Sequence, residues 1–323
     1  MIKKLFVFFL LIFFTKYSYT QVKSDSNFIE NPVVLETATG KLMGTLTIPN
    51  NFTKGPILLM IAGSGPTDRD GNSIVGVKAN YLKQIAHEIS NSNIASLRFD
   101  KRGIGASKLA LTKEEELTFD NMVNDVKDWI QFIKKDKRFD QIIIAGHSEG
   151  SLIGMLAAKK NVDKYISISG PGKPANEILK EQLENQTTAI KETAFPIIDS
   201  LSQGFLVKKV HLMLFSLFRP SVQPYLISWF QYNPSKEIAS LSIPTLILQG
   251  DNDLQVSVND AELLFEAKKN SRKIIIPNMN HVLKIVGNTK DENIKSYNNP
   301  NLPISSELIQ AIVNFVNTRN STH

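Results

Sequence analysis

Gly146-His147-Ser148-Glu149-Gly150 sets a serine between two glycines, each two residues away. The pentapeptide follows the apolar run Gln141–Ala145 and opens into a helical pattern over Ser151–Ala158. A strand that turns sharply into a helix around one serine holds that residue in a strained conformation and lifts its hydroxyl clear of the sheet. The helix N-terminus then lies beside any oxyanion formed there. The chemistry this suits is nucleophilic attack on a carbonyl, and a serine hydroxyl needs a nearby base for that.

The chain has five histidines, at 87, 147, 211, 281 and 323. His87 sits in an amphipathic helical pattern, which suits a structural or surface role. His147 adjoins the serine, where the turn directs it away from the hydroxyl. His211 lies in a helical insertion, and His323 ends the chain. His281 follows the last expected strand and precedes the last expected helix, so the strand end returns it to the edge that carries Ser148. It is the candidate base. An acid that orients it is expected in Gln249-Gly250-Asp251-Asn252-Asp253, directly after the run Thr245–Leu248. Asp253 is preferred, because a loop of a few residues is needed to reach across to His281. Asp251 reads as a turn residue, and Asp260 is a third choice.

Two backbone N–H groups are expected to face the oxyanion. One belongs to Glu149. The other comes from Gly63-Ser64-Gly65-Pro66, after the run Ile57–Ala62, with Ser64 the first choice and Gly65 the second. Arg69 and Arg102 lie in charged loops at the same edge. They either pin those loops through carboxylate pairs or recognise a polar substrate group.

These residues need elements to carry them. Leu42, Leu46 and Ile48 alternate with Met43, Thr45 and Thr47 as in a half-buried antiparallel strand. Residues 21–31 read as polar and irregular. Continuous apolar runs at 57–62, 94–99, 141–145, 165–169, 245–248 and 274–276 suit strands buried on both faces of a parallel sheet. Helical periodicity at 77–90, 119–133, 151–158, 257–268 and 308–316 alternates with them. This order implies an α/β architecture with helices on both faces of the sheet and the site at the carboxyl ends of the strands. The alternation breaks at 173–240, where helical patterns are interrupted by Pro196, Pro220, Pro224 and Pro234. That stretch is expected to be a helical cap inserted into a core of residues 21–172 and 241–323.

Lys3 and Lys4 precede an apolar run from Leu5 to Phe14, which Lys16 closes. Ten apolar residues rise about 15 Å as a helix, roughly half of a membrane's hydrocarbon core. Residues 1–20 therefore read as a secretory signal peptide. The protein is expected to be exported, periplasmic or extracellular, with no stable membrane span. Half of the net charge of +6 comes from the three leader lysines, and the rest is scattered, so nucleic acid is not an expected partner. With no cysteine, the chain has no disulfide and no thiolate chemistry.

Gly63-Ser64-Gly65-Pro66, Asp100-Lys101-Arg102-Gly103-Ile104-Gly105-Ala106-Ser107, the Ser148 pentapeptide, Gly250-Asp251-Asn252-Asp253 and Asn280-His281 fall in one order along the chain. Together they resemble the α/β-hydrolase superfamily, near its esterases and serine-aminopeptidase-like (S33-type) hydrolases, over roughly residues 33–318. The resemblance implies a Ser148–His281–Asp253 triad in that family's chain order, an acyl-enzyme intermediate, a small acyl substrate, and neither cofactor nor metal. The chain departs from the family at Ala62-Gly63, where many relatives carry His-Gly, which implies another means of holding that loop. Ester or thioester hydrolysis is the leading expectation. An exopeptidase, with Glu149 or Glu177 receiving the substrate's amine, and a non-catalytic binding protein are the rivals. Oligomeric state is not legible in the sequence.

Overall fold

The computed structural model describes residues 26–318 except 112, 160 and 185, so the expected leader at 1–20 lies outside the described residues. Eight strands form the main sheet: β1 (Phe28–Thr37), β2 (Gly40–Pro49), β3 (Gly55–Ile61), β6 (Ala95–Phe99), β7 (Phe139–His147), β8 (Lys164–Ile168), β9 (Thr245–Gly250) and β10 (Arg272–Ile276). Two short strands, β4 (Asn72–Ser73) and β5 (Val77–Lys78), pair separately. The spatial order is β1-β2-β6-β3-β7-β8-β9-β10. β2 runs antiparallel to both β1 and β6, and every later pairing is parallel.

The apolar runs are central strands because each supplies both faces. In β3, Ile57, Leu59 and Ile61 enter one core while Leu58 and Met60 enter the other. In β7, Ile142 and Ile144 face opposite to Ile143 and Ala145. This is the two-residue period of a pleated strand with no solvent on either side. Helix α1 (Tyr81–Ser90) covers one face with α11 (Ser306–Asn317). Helices α2 (Phe119–Lys134), α3 (Glu149–Ala158) and α9 (Val258–Ala267) cover the other.

Between β8 and β9 the chain forms α4 (Ala175–Glu184), α5 (Thr188–Ser202), α6 (Phe215–Phe218), α7 (Gln223–Phe230) and α8 (Pro234–Ala239). They have their own apolar cluster, including Ile198, Leu201, Phe218 and Leu226. Their seat on the main body is aromatic: Trp229 stacks on Phe119 at the start of α2, with centroids 5.7 Å apart and planes 4° apart. A further helix, α10 (Lys290–Ser296), lies between β10 and α11. Among the described residues no helix is long and apolar enough to cross a membrane.

Three local expectations need correction. The helix expected from 77 begins at Tyr81, because Val77–Lys78 pairs with Asn72–Ser73 and Asn80 takes a left-handed φ of 51°. Residues 28–31 are not irregular: they open β1, which pairs with β2 along its whole length. Helix α10 was not expected, since its sequence is mostly polar.

Candidate active site

The polypeptide leaves β7 at His147 and enters α3 at Glu149, so Ser148 makes the whole turn. Its φ of 54° and ψ of −124° are a conformation that a residue with a side chain adopts only when its surroundings enforce it. The flanking glycines make room for it. A Cβ on Gly146 would lie 2.1 Å from the Gly150 carbonyl oxygen, and one on Gly150 would lie 2.5 Å from the Ile61 oxygen. The Ser148 N–H donates to the Ile168 carbonyl at 3.0 Å, which ties the turn to β8.

His281 and Asp253 meet beside it. The His281 Nδ1 donates to Asp253 Oδ2 at 2.8 Å, so Nε2 is the ring nitrogen left for the cleft. The other carboxylate oxygen accepts the N–H groups of Gln255 at 2.8 Å and Val256 at 3.0 Å. Burial alone would raise the Asp253 pKa. The charge and hydrogen bond of His281, with the two backbone donors, outweigh it and hold the carboxyl below its usual range. His281 stands in a tight turn, where Leu283 N–H donates to the Asn280 carbonyl at 2.9 Å and Leu283 itself has a φ of 65°. The buried Asn280 side chain fixes that turn through Ser296, Asn293 and the Lys284 N–H. The other two aspartates serve elsewhere: Asp251 accepts the Asn278 N–H, and Asp260 caps α9 and accepts from Gly172. Ser148 and His281 line one cavity of about 230 Å³. Among the described residues no hydrogen bond joins the Ser148 hydroxyl to His281, a common state of such pairs before substrate tightens them.

His147 forms a floor under this pair. Its Nε2 donates to the His281 carbonyl at 2.8 Å, and its Nδ1 accepts from the Tyr81 hydroxyl at 3.2 Å. The ring is fully buried 4.7 Å from that of His281, and burial with that neighbour's charge pulls its pKa down to about 3. It is therefore a neutral brace. Burial pushes the Tyr81 phenol well up, so it stays a donor.

Gly63 and Ser64 pass directly over the turn, and a Cβ on Gly63 would lie 3.1 Å from Ser148 Cβ. The Gly63 carbonyl accepts from Lys101 Nζ at 2.5 Å. That ammonium also lies 3.3 Å from Glu149 Oε2, and Tyr225 of α7 donates to Glu149 Oε1 at 2.8 Å. The two arginines are engaged in the loops. Arg69 pairs with Asp100 at 2.7 Å, and Arg102 holds both oxygens of Asp125 at 2.5 and 3.1 Å. Tyr81, His147, Lys101 and Tyr225 are the contributors that residue types and spacing did not point to.

Ser64, Gly65, Ser148 and Gln255 also border a second cavity, of about 350 Å³, between the sheet edge and α4–α8. Leu152, Ile178, Leu179, Leu226 and Trp229 give it apolar walls. Ser148 therefore stands where two recesses meet, a smaller one that includes Ser64, Thr67, Ser73 and His281 in its wall and a larger one walled by aliphatic and aromatic side chains.

A family described as serine aminopeptidase, S33, matches residues 75–211. The esterase EstD of Thermotoga maritima is 24% identical over 83% of the chain. The esterase Est1E from Butyrivibrio proteoclasticus, solved with ferulic acid bound, superposes with a TM-score of 0.59 at 18% identity, covering 88% of this chain and 97% of that one. The Pyrococcus furiosus esterase Pf2001 gives 0.54 at 17%, covering 80% and 85%. The chain has the α/β-hydrolase fold. Within this fold the family match spans β5 to the middle of the inserted helices and so includes the Ser148 turn. The chain spans 63% of the length of EstD.

Proposed function

We propose that this α/β-hydrolase cleaves carboxylic esters, or thioesters, through an acyl-enzyme. His281 takes the proton of Ser148 as its oxygen attacks the carbonyl. Asp253 holds the imidazole in the required tautomer and stabilises its charged form. The N–H groups of Glu149 and Ser64 receive the oxyanion. His281 returns the proton to the departing alcohol, and water repeats the sequence on the acyl-enzyme. The observation that carries this reading is the 2.8 Å His281–Asp253 hydrogen bond beside a strained serine in one cleft.

The apolar recess suits an uncharged acyl group, and the smaller recess suits the alcohol. Helices in 173–240 act as the cap that closes over the acyl side. That Est1E binds ferulic acid makes aryl acyl groups a useful arm of the substrate panel. The exopeptidase reading fares less well, because the Glu149 carboxylate is already neutralised by Lys101 and bound by Tyr225, and Glu177 is exposed away from the recess. Export after loss of residues 1–20 belongs to the same proposal and is checked by sequencing the mature N-terminus.

A fluorophosphonate probe should label Ser148, and Ser148→Ala should lose both the label and turnover by a factor on the order of 10⁶. Near-normal ester hydrolysis by that variant would sink the reading. Absence of any adduct on the wild-type protein would favour the non-catalytic binder.

A further inference from the structure

We propose that Lys101 is the positioning residue of the oxyanion pocket: its ammonium, clamped between the Gly63 carbonyl and the Glu149 carboxylate, aims the Ser64 N–H at the carbonyl under attack. The inference rests on the acyl-transfer reading above and adds to it a residue that never touches substrate.

A trans peptide is planar, and its C=O and N–H point in opposite directions. Gly63 and Ser64 share one such peptide, since the described chain has no cis bond. The Gly63 oxygen points inward to Lys101 Nζ at 2.5 Å, and that lysine is only 4% exposed. The Ser64 N–H must therefore point the other way, out of the protein body and towards the cleft that Ser64 borders with Ser148. Among the described residues Lys101 is the donor found on the Gly63 oxygen, and the β3 ladder that could otherwise hold this peptide ends two residues earlier, at Ile61.

The second contact explains the choice of a charged residue. Lys101 and Glu149 form a buried pair, with side chains 5% and 3% exposed. Such pairs contribute little to stability, since desolvating two charges offsets their attraction. Here the pair couples the two stretches that supply oxyanion donors: the loop after β3, and the first turn of α3, where Glu149 offers its own N–H. One ammonium thus sets the distance between the two donors. Its charge on the Gly63 oxygen also polarises that peptide and strengthens its N–H as a donor. Tyr225, reaching from α7 to the other Glu149 oxygen, completes the clamp from the cap side.

The test uses the full chain with a p-nitrophenyl ester and with a boronic acid that forms a tetrahedral adduct on serine. Lys101→Met should lower kcat by a factor on the order of 10², the cost of misplacing one oxyanion donor, with KM within about twofold of wild type. Affinity for the boronic acid should fall by a similar factor. Since the single variant strands a buried carboxylate, the double variant Lys101→Met/Glu149→Gln provides a neutral, similarly shaped pair. It should melt close to wild type and keep the kcat deficit. Unchanged kcat in the single variant, or recovery of kcat in the double one, would overturn the proposal and leave Lys101 as a counter-charge only. Failure of the acyl-transfer reading itself would look different: the wild-type protein would then take no fluorophosphonate at Ser148.

Discussion

Asp253 receives four hydrogen bonds, from His281, Gln255, Val256 and Gln249, so its orientation is settled before any substrate arrives. Asp253→Asn should retain the backbone bonds but present an amide to His281 and favour the wrong tautomer, lowering kcat by about 10⁴ with little effect on KM. A deficit under tenfold would show that His281 is oriented by something else. Because the Asp253 pKa is depressed in the folded state, the stability it contributes is present above its ordinary pKa and is lost as pH falls through the depressed value. His147, held at about 3, stays neutral throughout the working range. His147 should therefore add no proton to the acid limb of log(kcat/KM) against pH, and a limb with a slope of two would contradict its neutrality. Ser148, His281 and the choice of Asp253 over Asp251 were legible because order along the chain and a loop's reach are one-dimensional properties. Tyr81 and Lys101 were not, since they meet partners 66 and 38 residues away and spacing carries no trace of that.

Elements were readable in proportion to how much of their pattern comes from burial. β3, β7 and β9 showed as apolar runs because the sheet is covered on both sides. β1 did not, because most of its residues are exposed and its place comes from pairing with β2 and from Glu30, which binds Arg98 at 2.6 Å. The start of α1 is not legible because Val77 continues an apolar period that is ended by pairing with Ser73 and by the left-handed Asn80, which is bonded to the Asn72 side chain. The packing of α3 against β3 gives a contrast between two glycines. A Cβ on Gly150 would press on two backbone oxygens, of Ile61 at 2.5 Å and Ala62 at 2.6 Å, which cannot rotate away. Gly150→Ala should cost about 3 kcal/mol and, by sliding α3 off β3, displace Ser148 and reduce turnover more than 100-fold. Gly204→Ala, at a φ of 86° with nothing within 4 Å of the new Cβ, should cost only the backbone strain of about 1 kcal/mol and leave turnover unchanged. Equal losses in melting temperature and turnover for the two variants would contradict this account of the turn.

Distant parts of the chain converge on the turn that carries His281, and the atom that joins them is an amine. Lys284 Nζ donates to Gln84 Oε1 of α1 at 2.6 Å and to the Leu302 carbonyl, while Gln84 also accepts the Ile304 N–H at 3.0 Å. The helix near the start of the fold, the His281 turn and the segment before α11 are thereby locked together. Burial pulls the Lys284 pKa from its ordinary 10.5 down to about 8. Between those two values the folded protein holds a neutral amine and the unfolded chain an ammonium, so unfolding takes up a proton. Raising the pH through this window must then favour the folded state, and below it the contribution is flat because both states are charged. Buried phenols such as Tyr165, whose pKa is pushed up, act in the opposite sense only once the unfolded chain begins to lose its phenolic protons near pH ~10. Thermal melts of wild type and Lys284→Met from about pH 7 to about pH 9.5 isolate the lysine, since methionine fills the space without titrating. The melting temperature of wild type relative to the variant should climb across that range. Parallel curves would mean that Lys284 keeps its proton in the fold, and that these three segments are joined by an ammonium rather than by a group that titrates within this range.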